Sequence, residues 1–240
     1  MEQAMPEHED QLLRRTGLVF FGGILAGQTH ELTNVHNVIN ELTGLQADVL
    51  AAADGSRIPD VEKLRRITEK IRSQLERAET IVRSMNRFAH SVDGPVRVFD
   101  VKEALERVTY LAQRAANLGK TALDQDFPKR SASLETNLFG FNQAVFTCIE
   151  TALAASDEHR HVVVGYRVPD TGVEITVMSA DPIPTVPGVI EKRAHLGPLV
   201  RELGGRVAAE PAADDRHRFT LFFPRTAPAP ERRTEAAKDE

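Results

Sequence analysis

Apolar positions in the first third of the chain return every seven residues. Leu25, Leu32 and Ile39 form one row, and Val35, Leu42 and Val49 form a second, the stagger that gives a helix a buried seam against other helices. This helix is read from about Gln11 to Ala53. Asp54-Gly55-Ser56 then supplies turn chemistry, and Pro59 suits the first turn of a second helix running to about His90. There Leu64, Ile71, Ala78 and Met85 make one row. Val61, Leu75, Val82 and Ala89 make the other, with Thr68 as a polar interruption. Two heptad helices joined by a short loop fold back as an antiparallel hairpin. A single hairpin leaves apolar seam in water, and pairing two hairpins into a four-helix bundle buries it, so a homodimer is expected.

Ser91-Val92-Asp93-Gly94-Pro95 ends this period, and the pattern changes to mixed elements. Val96 to Val101 reads as a short strand, and Lys102 to Gly119 as a helix with Ala104, Leu105, Val108, Leu111 and Ala115 on one face. Thr121 to Phe127 is a further strand and Asn137 to Ala155 an apolar helix. His161 to Val168 and Val173 to Ser179 alternate across Asp170-Thr171-Gly172 as a hairpin. A helix from Val189 to Leu203 stops at Gly204-Gly205, a C-cap. Arg206 to Ala209 and Phe219 to Phe223 close the sheet. The fold class expected is an α part, the hairpin, followed by an α+β part built as a sheet-and-helix sandwich. The domains follow as a flexible N-terminus (1–10), the hairpin (11–92), the α/β sandwich (96–224) and a disordered tail (225–240).

Composition narrows the class. The chain has 240 residues, 41% of them hydrophobic, enough for two small domains with real cores. A formal charge of -5 argues against a nucleic-acid binder, which carries a basic patch. The single cysteine, Cys148, lies in an apolar run and reads as a buried small residue, so the compartment expected is the cytosol. The longest apolar stretch, Gly17 to Gly27, is shorter than the ~20 residues a helix needs to cross a bilayer. The acidic start Met-Glu-Gln-Ala-Met-Pro-Glu does not resemble a signal peptide, and no membrane association, attached sensor domain or receiver module is expected.

The chemistry concentrates in His30-Glu31-Leu32-Thr33-Asn34. With Leu32 at heptad position a and Val35 at d, His30 is an f position and Asn34 a c position, both facing water one turn apart. That arrangement presents a nucleophilic nitrogen to a docking partner. A zinc site on a helix needs His at i and i+4 with Glu between. Here i+4 is Asn34, and His36 falls six residues on, so no metal is assigned.

A helical hairpin with an exposed His, a short linker and an α+β domain resembles the core of bacterial two-component sensor histidine kinases. The likeness covers about Gly17 to Pro224. The resemblance implies a dimerisation and phosphoacceptor hairpin followed by a sandwich of the histidine-kinase ATPase type. By it, His30 carries the phosphoryl group, Glu31 is the acid or base beside it, and Asn34 orients the water that dephosphorylates a response regulator. Leu203-Gly204-Gly205-Arg206-Val207 and Phe219-Thr220-Leu221-Phe222-Phe223-Pro224 look like the family's closing helix, glycine pair and final strand.

The nucleotide positions depart from that pattern. Thr151, preceded by Glu150, stands where the family has a magnesium-coordinating Asn. The adenine-reading Asp falls on Ser179, and the glycines that follow it on Asp181 and Ile183; a two-residue register shift puts Asp181 at the acid. The glycine-rich phosphate loop falls near Lys192 and Arg193, and the segment before it is too short for an ATP lid. Adenine recognition needs a carboxylate, phosphate cradling needs close backbone approach, and magnesium needs an oxygen ligand. The second domain therefore reads as degenerate, with no cofactor expected.

Three functions compete. The first is a histidine phosphotransferase or phosphatase exchanging phosphoryl groups between His30 and receiver-domain aspartates of response regulators. The second is a Mg-ATP-dependent histidine kinase with a diverged pocket. The third is a non-catalytic dimeric adaptor.

Overall fold

The computed structural model describes residues 7–53, 58–129, 131–156, 161–179, 194–211 and 217–224. Contacts divide the chain into two units, Arg15–Asp93 and Gly94–Glu240, the latter together with Met1–Arg14.

Two helices make the first unit: α1 (Glu7–Ala51), from Arg15 onward, and α2 (Val61–Ala89). α1 starts earlier than its apolar period suggests, so residues 7–10, read as flexible, are helical. Glu7, Glu9 and Asp10 fill its first turn, where acidic side chains complement the positive end of the helix dipole. Asp60 caps α2 by accepting from the Lys63 backbone N–H at 2.9 Å. The expected turn at Asp54-Gly55-Ser56 lies outside the described residues. Heptad packing holds the pair together. Ile24 and Val35 are buried on α1, and Ile67, Ile81 and Phe88 on α2. Phe88 meets Phe20 edge-on at 5.4 Å and stacks on Phe21 at 5.5 Å.

One row differs from the sequence reading. The α2 residues that bury on α1 belong to the row Ile67-Gln74-Ile81-Phe88. Val61, Leu75 and Val82, expected in the seam, are 66%, 55% and 50% exposed. α2 carries apolar residues in three columns, and one facing helix covers only two.

After Gly94 the second unit continues with strand β1 (Arg97–Asp100), then α3 (Val101–Leu118), β2 (Ala122–Asp126), β3 (Ser133–Thr136) and α4 (Leu138–Ala155). β4 (His161–Arg167), β5 (Gly172–Ser179), α5 (Leu196–Glu202), β6 (Arg206–Pro211) and β7 (His217–Pro224) follow. The main sheet has order β2-β4-β5-β7-β6, with β2 and β4 parallel and the other pairs antiparallel. β1 and β3 form a separate antiparallel pair. β3 was not read from the sequence. Its four residues, Ser-Leu-Glu-Thr, carry one apolar side chain, Leu134, and its existence depends on pairing with a strand more than thirty residues away.

Alternate strand residues bury against α3 and α4: Val162 and Val164, then Val173, Ile175 and Val177, then Phe219, Leu221 and Phe223. Phe141, Ala144, Val145, Cys148 and Ile149 supply the α4 side of this core. α4 is long and apolar enough to cross a membrane, yet 72% of it is buried inside the protein. Leu13, near the start of α1, joins the same core, and Glu9 pairs with Arg201 of α5 at 3.1 Å. α5 ends in a Schellman motif: Gly204 N–H bonds Arg201 O at 2.9 Å and Gly205 N–H bonds Val200 O at 2.8 Å. Gly204 adopts φ 75°, and a Cβ on Gly205 would stand 2.7 Å from the Phe222 carbonyl oxygen. Both glycines of the pair thus have a structural reason.

Candidate functional site

His30 and Asn34 sit on the exposed side of α1. Four residues advance a helix by little more than one turn, so the two side chains meet. Asn34 Nδ2 lies 3.2 Å from His30 Nδ1. A half-turn of the carboxamide exchanges its oxygen and nitrogen, so Asn34 can accept from a protonated Nδ1 or donate to a bare one. With Oδ1 turned inward, the ring proton is held at Nδ1 and Nε2 keeps its lone pair facing away. His36 and Asn40 repeat the spacing at 3.4 Å, but six residues on they occupy another side of the helix.

Glu31 is turned from the ring toward α2. Its Oε2 pairs with Arg77 at 2.6 Å, and its side chain is 23% exposed. Arg77 did not emerge from the sequence reading, though a signal for it exists. In an antiparallel hairpin, partners are mirror images about the turn, and 31 reflects through Asp54, where the turn begins, to 77. The Phe20 and Phe21 contacts with Phe88 obey the same register.

In the second unit the two described nucleotide positions are occupied with internal bonding. Thr151 is 1% exposed, and its hydroxyl donates back to the Thr147 carbonyl on its own helix at 2.6 Å. Ser179 is equally buried. Its Oγ lies 3.0 Å from Ser156 Oγ, which itself donates to Ala152 O at 2.8 Å. Neither position offers a carboxylate, and neither hydroxyl faces outward as a ligand. Asp181, Ile183, Lys192 and Arg193 lie outside the described residues. Among the described residues, no group of three or more His, Cys, Asp or Glu is placed to hold a metal ion.

No family model matches this chain, and no curated protein matches it. Solved structures do. The catalytic domain of histidine kinase ThkA, in a nucleotide-free form, superposes with TM-score 0.50 at 15% identity, over 56% of this chain and 98% of that one. The second unit has the fold of a histidine kinase catalytic domain. Acinetobacter baumannii histidine kinase AdeS is similar at TM-score 0.47 and 14% identity, over 80% of this chain and 97% of that one. The cytoplasmic segment of histidine kinase QseC is similar at TM-score 0.47 and 13% identity, over 63% of this chain and 95% of that one.

Proposed function

We propose that this chain is a two-component signalling protein whose His30 exchanges phosphoryl groups with receiver-domain aspartates of response regulators, or helps remove them. The observation that carries the reading is the His30–Asn34 pair, an exposed imidazole with a carboxamide 3.2 Å from Nδ1. Residues 11–92 serve as the phosphoacceptor hairpin and 96–224 as an ATPase-like scaffold.

In the transfer direction, the Nε2 lone pair attacks the phosphorus of an aspartyl phosphate. The N–P bond forms as the acyl P–O bond breaks, and the aspartate leaves as a carboxylate with that electron pair. With the Asn34 carboxamide turned so that Oδ1 faces the ring, the proton stays on Nδ1 during this attack. The reverse step returns the phosphoryl group from the ring to a carboxylate. In the phosphatase direction Asn34 presents a water to the receiver's aspartyl phosphate. None of these steps requires a nucleotide. The inward bonding of Thr151 and Ser179 supports this reading over an ATP-dependent kinase.

The exposed α2 row of Val61, Leu75 and Val82 supports a homodimer, because a second hairpin would cover it. A cytoplasmic location follows from the partner class. The test is to incubate the purified protein and His30→Ala with phosphoramidate, and separately with magnesium and γ-labelled ATP. Acid-labile phosphate from phosphoramidate on the wild type alone is expected, with none from ATP. Label from ATP that disappears in His30→Ala would replace this reading with the kinase.

A further inference from the structure

The buried seam between α1 and α2 is built mainly from hydrocarbon, with Ile24 and Val35 on one helix and Ile67, Ile81 and Phe88 on the other. Two carboxamides interrupt it. Gln28 is 4% exposed. Among the described residues of these two helices, Gln28 Oε1 and Gln74 Oε1 are the buried side-chain atoms with no hydrogen-bond partner. The register supplies the reason. The reflection that brings Glu31 to Arg77 sets Gln28 level with Thr80, next to Ile81, and Gln74 level with Asn34, next to Val35. Each carboxamide therefore shares its layer of the seam with a buried aliphatic side chain from the other helix, which has no proton to donate.

The two layers lie on either side of His30, about 9 Å apart along the axis. A buried amide oxygen without a donor is unfavourable, and that cost is recovered when water reaches it. Layers closed by Ile24 or Ile67 gain nothing from water. The seam consequently parts more readily at the His30 turn than toward either end of the hairpin, since local opening is easiest where burial returns least. A second hairpin does not remove this weakness. Both oxygens are already out of reach of solvent within one chain, so another copy meets them only if the seam itself opens.

Resting on the phosphoacceptor reading above, we propose that Gln28 and Gln74 form a weak section of the seam that lets the His30–Asn34 turn move against α2 when a receiver domain docks. In-line attack requires Nε2, the phosphorus and the leaving oxygen to be aligned at about 3–3.5 Å. Asn34 lies 3.2 Å from Nδ1 and restrains the ring's own torsions. Movement of the turn supplies the remaining adjustment against a large partner whose phosphoryl group is fixed in its own site. A small donor approaches freely and does not need it.

The test uses the full chain as wild type, Gln28→Met, Gln74→Met and the double variant. Methionine keeps the shape of glutamine and removes the oxygen. Hydrogen–deuterium exchange read by mass spectrometry is expected to slow by about tenfold over residues 27–36 and 72–80 in the double variant, and by less in each single one. Residues 42–49 and 63–68 should exchange as in wild type. Phosphoryl transfer from a charged receiver to His30 should slow by about tenfold, while loading from phosphoramidate stays unchanged. No slowing of exchange, or equal slowing along both helices, would overturn the weak section. Local slowing with unaltered receiver transfer, or an equal loss with both donors, would overturn its role in docking. Should wild-type His30 take no phosphoryl group from either donor while the local slowing is observed, the phosphoacceptor reading falls and the weak section stands.

Discussion

Thr151→Val separates a structural hydroxyl from a ligand. The side chain is buried at 1% exposure, and its one described bond runs 2.6 Å to the Thr147 carbonyl. Valine has the same branched shape. The substitution removes one neutral hydrogen bond, worth about 1 kcal/mol net. It strands no partner, because the Thr147 carbonyl keeps its regular helical bond within α4 (Leu138–Ala155). The methyl that replaces the hydroxyl gains from its apolar surroundings, so the net change should stay within about 1 kcal/mol. Thr151→Ala also removes a buried methyl and should cost about 1–2 kcal/mol through lost transfer energy and a small cavity. Urea denaturation followed by circular dichroism measures both. A thermal melt with excess Mg-ATP completes the experiment. A ligand at a hundred times its Kd stabilises by about 2.7 kcal/mol, an upward Tm shift of about 5–10 °C for a protein of this size. No shift is expected in wild type or Thr151→Val. A nucleotide-dependent rise in the wild type that Thr151→Val abolishes would refute the reasoning.

Three further outcomes are expected. Lys120 sits at φ 51° just after α3, in the left-handed position of a Schellman motif closed by Thr121 N–H to Ala116 O at 3.0 Å. Lys120→Gly relieves that strain, less glycine's entropic cost, and should stabilise the chain by about 0.5–1 kcal/mol in a urea melt. Asp100 caps α3 by accepting from Glu103 N–H at 2.9 Å. Partial burial pushes its carboxyl up, but hydrogen bonds from Ser131 and the Glu103 and Lys102 backbones outweigh this and hold it below the ordinary range. A depressed folded-state acid contributes stability above its unfolded titration and loses it as pH falls through the folded one. Asp100→Ala should therefore cost about 1 kcal/mol at pH 7, with the difference from wild type shrinking in acid below about pH 4. Ile81→Ala empties a position 2% exposed between α1 and α2 and should cost about 2–5 kcal/mol of hairpin stability, read by circular dichroism in urea.

How much of this was legible depends on the range of the signal. α1 and α2 declare themselves through a local period, and the β4–β5 hairpin through alternation about Asp170-Thr171-Gly172. Which column of α2 faces α1 is not local. With apolar residues in three columns, the period alone chose the row of Val61, Leu75 and Val82, whereas packing chose that of Ile67, Ile81 and Phe88. β3 exists only in its pairing with β1. Some signals were present but unread: Asp100 and Glu103 have the spacing of a capping box, placing the start of α3 at Val101. The site divides the same way. His30 and Asn34 meet through helical spacing alone. Arg77 becomes visible only once the hairpin's mirror register is applied, and the internal bonding of Ser179 with Ser156 only once α4 lies against β5.

The most direct test of His30 as a phosphoacceptor needs a donor of the proposed chemistry. Receiver domains charged with acetyl phosphate should be mixed with the purified chain and with His30→Ala, and acid-labile phosphate followed on each. Phosphate passing from at least one receiver to the wild type, and from none to His30→Ala, is the predicted result. Label that reaches both chains equally, or a wild type that neither takes phosphate from any receiver nor speeds its loss, would contradict the account.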